Sequence, residues 1–191
     1  MPAVTEVIVL NGGSSSGKSS LARSLRKLLP EPWAALGVDD LLAALAPSLV
    51  GDAAPRAGRP PLVVFGTDGA VHVDPAWRPV EAAWYTGVAA MARAGLGVIL
   101  EEVLLDGATG QRRVADALAG LSVLWVGVRC DPAVAATREK ARTDPITRVA
   151  GMATSQATRV HHAVRYDIVV DTTATSSEEC AQAVLAHMAS S

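Results

Sequence analysis

The strongest constraint on the fold is a glycine-rich stretch that follows an apolar run near the start of the chain. Residues 7–10 lead into Gly12, and four residues later come Gly17, Lys18 and Ser19, which completes the pattern G-x-x-x-x-G-K-[ST]. Such a loop directs successive backbone N–H groups at one anion, and the helix that follows adds the partial positive charge of its N-terminus. Leucines at helical spacing behind Ser19 favour this order of strand, loop and helix. The stretch therefore predicts a binding site for nucleotide phosphates.

Each part of this loop has an expected place around a nucleotide such as ATP. Lys18 is expected to reach the β- and γ-phosphates. The hydroxyl of Ser19 is expected to bind a Mg²⁺ ion that bridges phosphate oxygens, since hard oxygen ligands suit that ion. The full predicted nucleotide-binding set is Gly12, Gly13, Ser14, Ser15, Ser16, Gly17, Lys18, Ser19 and Ser20.

Length and composition favour a single domain. At 191 residues the chain is near the usual size of one α/β domain, so residues 1–191 are treated as one unit. Half of the residues are hydrophobic, yet the apolar runs are too short to cross a bilayer. The first six residues lack the basic segment of a secretory signal. We therefore expect a cytoplasmic protein that does not span a membrane.

The charge and the cysteines narrow the range of partners. A net charge of −2 gives no broad basic surface for nucleic acid. Cys130 and Cys180 are the only cysteines, and they indicate two reduced, largely buried thiols rather than a disulfide framework or a zinc site. Small-molecule partners are favoured, and nothing in the sequence predicts an oligomeric state.

Strand-like and helical segments alternate along the chain, which predicts a three-layered α/β fold with a parallel, doubly wound sheet. After the first strand, further strands are expected at residues 33–38, 98–105, 122–128 and 168–171. Segments 62–65 and 71–73 flank a turn with Asp68 and Gly69, which predicts an inserted β-hairpin that could wall an acceptor pocket. Long helices are expected from Pro75 and over residues 149–164.

Two pairs of acidic residues end or interrupt predicted strands. Asp39 and Asp40 end the second strand, at the sheet edge where ligands of open α/β folds bind, and Asp40 is placed to cap the next helix. Glu101 and Glu102 interrupt a central apolar strand, where an unpaired carboxylate is costly. Two explanations are open for this second pair: a place in the magnesium shell, with Glu101 as the candidate, or a salt bridge at the end of the strand.

Several cations follow the helix that Asp131 and Pro132 are expected to begin. Arg138 and Arg142 are four residues apart, so their guanidinium groups share one side of a helix, and Arg148 follows a loop that contains a proline. Planar guanidinium groups suit phosphate better than lysine does. We therefore predict that Arg138, Arg142 and Arg148 form a lid over the phosphates.

Two other groups of residues admit more than one interpretation. Trp77 and Trp84 lie on one face of a predicted helix, where they either pack in the core or line a cleft that tolerates aromatic substrates. His161 and His162 are adjacent and diverge on a helix. Because no third ligand lies nearby in the sequence, metal binding by this pair is disfavoured.

Blocks of sequence along nearly the whole chain match more than a general phosphate loop. They comprise residues 10–15, 17–19, 29–33, 37–39, 91–95, 123–131, 148–153, 166–167 and 170–173. In these blocks the chain resembles the chloramphenicol phosphotransferase family of P-loop kinases. The resemblance implies transfer of the γ-phosphoryl group of ATP, with Mg²⁺, to a hydroxyl of chloramphenicol, which inactivates the drug.

The same resemblance implies details of the site and the sheet. It places the general base at Asp39, within the block Gly37-Val38-Asp39. It also implies the strand order 2-3-1-4-5, with the strand that carries Glu101 and Glu102 beside the strand of the phosphate loop.

The chain departs from the family pattern in three places. Glu101 and Glu102 replace a pair of aspartates, Pro145-Ile146-Thr147 are inserted in the lid, and the segment 51–75 is the least similar. Two alternatives therefore remain beside the chloramphenicol kinase. One is a kinase for another hydroxylated small molecule, such as a different antibiotic or a nucleotide sugar. The other is a nucleotide-dependent switch, which a base at Asp39 argues against because a switch needs a positioned water instead.

Overall fold

The computed structural model describes residues 5–30, 32–50, 60–66, 68–142 and 150–190. The strands are β1 (Val7–Asn11), β2 (Trp33–Gly37), β3 (Val63–Phe65), β4 (Val71–Val73), β5 (Gly97–Glu102), β6 (Val123–Arg129) and β7 (Ile168–Asp171). The α-helices are α1 (Lys18–Leu28), α2 (Val38–Ala44), α3 (Trp77–Arg93), α4 (Ala108–Ala117), α5 (Pro132–Lys140), α6 (Met152–Gln156) and α7 (Ser177–Ser190). Pro47–Leu49 and Arg159–His161 form short 3₁₀ helices.

The main sheet has five parallel strands in the order β2-β5-β1-β6-β7. Counted along the chain within this sheet, the order is 2-3-1-4-5, as the resemblance implies, and β5 lies beside β1. The strands β3 and β4 form a separate antiparallel hairpin, which confirms the predicted insertion. The α/β fold class is therefore confirmed.

Each face of the main sheet packs against a different layer of helices. Ile8 and Ile99 face the layer of α1 and α7, where they join Leu21, Leu25 and Ala181. The alternate residues of the same strands face α3 and α4; this second cluster includes Val7, Val9, Val98, Leu100, Val88 and Val114. Because side chains alternate along a strand, β5 directs its last two residues, Glu101 and Glu102, to opposite faces.

The second strand is shorter than predicted, and the helix after it begins earlier. β2 ends at Gly37 and α2 begins at Val38, so Asp39 and Asp40 lie in the first helical turn rather than before it. The reason is a cap: the carboxylate of Asp40 accepts a hydrogen bond from the Gly37 N–H over 2.7 Å. The predicted capping role of Asp40 agrees with this contact.

The long helix predicted over residues 149–164 is wrong for the part of it that the structure describes. α6 ends at Gln156, and only a 3₁₀ turn follows it. The backbone carbonyls of Val160 and His162 instead accept hydrogen bonds from Asn11 and from the Ala108 N–H. Ala163, with a φ of 53°, also has a conformation that no right-handed helix contains.

Candidate active site

The phosphate loop joins β1 to α1 as predicted. A Cβ atom at Gly12 would lie 2.6 Å from both the Ser16 hydroxyl and the Val128 carbonyl, so the loop can close only with glycine there. Gly17 precedes α1 with a φ of 93°. The ammonium of Lys18 donates to the carbonyls of Gly12 and Gly13 over 2.7 and 2.9 Å, which holds it against the loop backbone.

Two hydroxyl groups of the loop suit a group that is rich in acceptors. The Oγ atoms of Ser15 and Ser16 are buried and have no hydrogen-bond partner among the described residues. Buried donors without partners are costly, so a ligand that accepts from them has a clear advantage. Together with the amides of the loop, these hydroxyls fit the oxygens of a nucleotide phosphate.

Ser19 and Glu101 meet beside this loop. The Ser19 hydroxyl donates to Glu101 Oε2 over 2.7 Å, because β5 lies next to β1 with Glu101 opposite Leu10. Burial raises the pKa of Glu101, while the Ser19 hydrogen bond and the charge of Lys18 act in the opposite direction. An alcohol oxygen and a carboxylate oxygen next to a phosphate site are donors that fit Mg²⁺.

Glu102 has a different environment from its neighbour. It is 5% exposed, lies on the α3 side of the sheet and forms a hydrogen bond with the hydroxyl of Tyr85. Burial raises the pKa of Glu102 to about 8, against the lowering effect of the Tyr85 hydrogen bond. The sequence left open a magnesium-shell role or a salt bridge for this pair. Because Glu101 meets Ser19 beside the phosphate loop while Glu102 pairs with Tyr85, Glu101 is the carboxylate that could join a magnesium shell.

The raised pKa of Glu102 predicts an unusual dependence of stability on pH. When the pKa of an acid is raised in the folded state, the protein loses stability as the pH rises from the pKa of that acid in the unfolded chain, 4.5, toward its folded-state pKa of about 8. We expect Glu102→Gln to have nearly wild-type stability at pH 5 and greater than wild-type stability at pH 8.5. Urea unfolding at both values measures the difference. A variant that is less stable than wild type at pH 8.5 contradicts the assignment.

The three arginines of the predicted lid have separate placements. Arg138 donates to the carbonyl of Thr172 over 2.7 Å, and the Thr172 hydroxyl donates to the Ser16 carbonyl over 2.7 Å. Arg142 lies beyond the end of α5 and lines the large cavity described below. The two side chains therefore do not share one helix face, because α5 ends at Lys140. Arg148 and the insertion at 145–147 lie outside the described residues.

Replacement of Arg142 tests whether a guanidinium group acts on the phosphates. We expect Arg142→Lys to lower turnover, because an ammonium cannot donate two parallel hydrogen bonds to a phosphate. Arg142→Ala is expected to lower turnover further, by roughly 10²-fold. Steady-state kinetics with saturating nucleotide measures both variants, and Arg112→Lys on the exposed face of α4 is the matched control. Unchanged turnover in Arg142→Lys and Arg142→Ala would remove Arg142 from the mechanism.

One large cavity of about 860 Å³ brings the predicted residues together. Lys18, Ser19, Asp39, Glu101 and Arg142 all line it. A second part of its wall is apolar and comes from α2, the hairpin and α3; this part includes Leu41, Leu42, Val63, Phe65, Val71, Val73, Trp77 and Trp84. The hairpin therefore does wall the cavity. Trp77 is buried and Trp84 packs against the core cluster on the α3 side, so the core interpretation agrees with the structure, and both side chains also line the cavity.

The cavity also contains a polar cluster that sequence reasoning missed. Arg113 donates to Asp106 over 2.8 Å and to Glu81 over 2.9 Å, and Arg78 joins the same two carboxylates. These four residues line the cavity between α3 and α4. Arg78 and Glu81 lie three residues apart on α3, a spacing that the sequence shows. The contacts of Arg113 with Glu81 and of Arg78 with Asp106 join different elements, and no periodic pattern in the sequence indicates them.

Asn11 forms a second network that the sequence did not indicate. Its amide donates to the Val160 carbonyl over 2.8 Å and to the Tyr166 hydroxyl over 2.6 Å, and it accepts from the Leu104 N–H. The Tyr166 hydroxyl also meets Nδ1 of His161 over 2.6 Å, and burial lowers the pKa of His161 to about 4. This network braces the last residue of β1. His161 thus has a structural partner, and the described residues contain no cluster of potential metal ligands.

The strand order, the glycine-rich loop and the lysine that follows it place this chain among the P-loop kinases. A model of the chloramphenicol phosphotransferase-like family matches residues 5–189, and the chain belongs to that family. Among the described residues, no helix has both the length and the apolar composition needed to cross a membrane.

Similar proteins agree with this assignment. A protein of Mycobacterium tuberculosis, found in two strains and named provisionally as an O-phosphotransferase, is 32% identical over 188 residues, which is 93% of this chain and 79% of the relative. A sugar kinase from Janibacter has a TM-score of 0.68 at 19% identity, over 97% of this chain and 95% of its own. The APS kinase of Mycobacterium tuberculosis, solved with AMPPNP and APS, has a TM-score of 0.65 at 20% identity, over 98% of this chain and 99% of its own. The protein is therefore a phosphotransferase that acts on a hydroxyl group.

Proposed function

We propose that the protein transfers the γ-phosphoryl group of ATP, with Mg²⁺, to a hydroxyl of a small apolar molecule of the chloramphenicol type, and so inactivates an antibiotic. The observation that carries this proposal is the cavity itself. It combines the phosphate-loop lysine Lys18, the carboxylate of Asp39 and an apolar wall in one continuous space. A phosphoryl donor and a hydroxylated acceptor would thus meet at Asp39.

In this proposal Asp39 is the general base. It is exposed in the first turn of α2, lines the cavity and is near enough to influence the pKa of Lys18. Its carboxylate accepts the proton of the acceptor hydroxyl while that oxygen attacks the γ-phosphorus. The bond from the γ-phosphorus to the bridging oxygen of the β-phosphate breaks, and ADP leaves with that oxygen. General-base help of this kind typically raises a rate by about 10²–10⁴-fold.

The cations of the cavity neutralise the charge of the transferring group. Burial lowers the pKa of Lys18 to about 8, while the charges of Glu101 and Asp39 act in the opposite direction. The side chain thus remains mostly charged at neutral pH, and a bound phosphate would favour the charged form further. Arg142 lines the same cavity as Lys18, so the two cations are placed to act together.

Ser19 and Glu101 would hold the Mg²⁺ ion. When bound, the ion would offset the charge that develops on the phosphate oxygens. In the described protein the Ser19 hydroxyl donates to Glu101, so the carboxylate is already placed to support a Ser19 oxygen that acts as a ligand.

The apolar wall supports a hydrophobic acceptor. Phe65, Trp77 and Trp84 offer contact area and few hydrogen-bond partners, which suits an aromatic or aliphatic body with a single reactive hydroxyl. The cluster around Arg113 favours a second candidate function, a kinase for a more polar hydroxylated molecule such as a nucleotide sugar. Both candidates use the same donor and the same base.

An acceptor panel tests the proposal. The purified protein is incubated with ATP and Mg²⁺ together with chloramphenicol, other hydroxylated antibiotics, nucleotide sugars or simple sugars. ADP release is followed, and products are identified by mass spectrometry. A phosphorylated antibiotic supports the proposal, and a phosphorylated sugar alone favours the second candidate. ADP release that no acceptor increases would favour the switch.

We further infer that residues 1–191 form one domain, since a single main sheet carries both core clusters. We also infer a cytoplasmic enzyme; the support is that Cys130 and Cys180 are both free, with Cys180 buried and Cys130 half-buried.

A further inference from the structure

The side chain of Gln156 accepts a hydrogen bond from a backbone N–H of the phosphate loop, a group that a bound phosphate could otherwise use. The backbone N–H of Ser14, in the middle of the loop, donates to Gln156 Oε1 over 2.8 Å. Gln156 is 4% exposed and is the last residue of α6, and both residues line the large cavity. A neutral oxygen atom of the protein therefore holds one of the amides that curl around an anion in a loop of this kind.

The support of α6 shows that Gln156 has a fixed position. Glu139, which is 5% exposed, accepts hydrogen bonds from the N–H groups of Gly151 and Ala153 over 2.9 and 2.6 Å, and so ties the start of α6 to α5. The hydroxyl of Ser155 donates to the Gly69 carbonyl in the hairpin turn over 2.9 Å. A helix of five residues is thus held by two neighbours, and its last side chain is presented to the loop.

A phosphate oxygen and the Gln156 side-chain carbonyl compete for the same hydrogen-bond donor, the Ser14 N–H. The Ser14 N–H cannot form a full hydrogen bond with both, and a charged phosphate oxygen accepts more strongly than a neutral amide oxygen. The Gln156 amide must then turn or move away. That step opposes phosphate binding, because a buried amide oxygen loses its donor.

We propose that Gln156 is a gating residue of the phosphate loop: its side-chain carbonyl accepts the Ser14 N–H and competes with nucleotide phosphates for it. The inference rests on the proposed function, since it assumes that the loop binds a nucleotide. The consequence is a lower affinity for nucleotide, and therefore a faster release of the product ADP, than a phosphate loop without the Gln156 contact would have.

Two substitutions at Gln156 separate gating from packing. Gln156→Leu keeps the approximate size and removes the competing acceptor, so affinity for ADP and for AMPPNP should rise by about fivefold, which corresponds to one net hydrogen bond. Gln156→Glu keeps an acceptor and makes it negative, so affinity should fall by roughly tenfold. Isothermal titration calorimetry of the full chain with Mg²⁺ measures both. Gln156→Met, which has no carbonyl, should behave like Gln156→Leu and serves if the leucine variant does not fold.

The control variants make the same two substitutions at a glutamine that lies on another helix. Gln182→Leu and Gln182→Glu change an exposed glutamine of α7 and should leave both affinities at the wild-type value. If Gln156 only packs against its neighbours, every Gln156 variant should bind nucleotide less tightly. That result would contradict the gating role. If the wild-type protein binds neither nucleotide, the proposed function fails instead, so the two failures are distinguishable.

Discussion

We expect Asp39→Asn to bind ATP with wild-type affinity and to lose turnover by roughly 10²–10⁴-fold. The asparagine keeps the size and the hydrogen bonding of the side chain but cannot take the proton of the acceptor hydroxyl. Asp39 is exposed in the first turn of α2, so the change should not disturb the fold. Calorimetry measures nucleotide affinity, and phosphorylation of the acceptor identified in the panel measures turnover.

Asp40→Asn is the matched control for this prediction. The Asp40 carboxylate accepts from the Gly37 N–H over 2.7 Å, so its role is to cap α2. We expect this variant to stay active and to lose about 1 kcal/mol of unfolding free energy. An inactive Asp40→Asn beside an active Asp39→Asn would show that the base has been assigned to the wrong residue.

Lys18→Ala is expected to leave a folded protein whose turnover falls by roughly 10³-fold or more. The ammonium of Lys18 lies against the carbonyls of Gly12 and Gly13, so it supplies a positive charge directly to the loop backbone. Circular dichroism checks the fold, and Lys27→Ala on the exposed face of α1 is the control. Phosphorylation by Lys18→Ala at nearly the wild-type rate would mean that the nucleotide site is misplaced.

Lys18 also gives the nucleotide affinity a pH dependence. Because burial lowers its pKa to about 8, the wild-type protein should bind nucleotide less well as the pH rises beyond that value and the ammonium loses its proton. The Lys18→Ala variant should lack this decline. The comparison is made by titration at pH 7 and pH 9.

The features that the sequence predicted correctly are those with a local pattern. The strand, loop and helix around Lys18 follow from spacing alone, and the hairpin follows from two apolar segments around Asp68 and Gly69. The residue Asp40 was predicted as a cap because capping is set within one helical turn. The strand order could be predicted only from the resemblance to a known family, since no local pattern in the sequence indicates which strands are neighbours.

The features that escaped prediction depend on contacts between distant segments. Gln156 meets Ser14 across 142 positions of the chain, and Asn11 meets Val160 across 149. The same contacts explain why the described residues 150–164 do not form one helix, because Asn11 donates to the Val160 carbonyl, which a continuous helix would use. Arg138 was expected over the phosphates, but it donates to the carbonyl of Thr172, 34 positions further along the chain, and local spacing does not reveal that contact.

The adjacent acids of β5 point to opposite faces of the sheet, although both line the same cavity. Glu101 serves the side where the donor nucleotide would lie, and Glu102 serves the side of α3, where the apolar wall would receive the acceptor. A single-residue insertion or deletion within β5 would exchange their roles, because strand side chains alternate between faces. If the proposed function is correct, substitutions on the apolar face of α3 are therefore expected to change which molecule is accepted more than they change the chemistry at the phosphate.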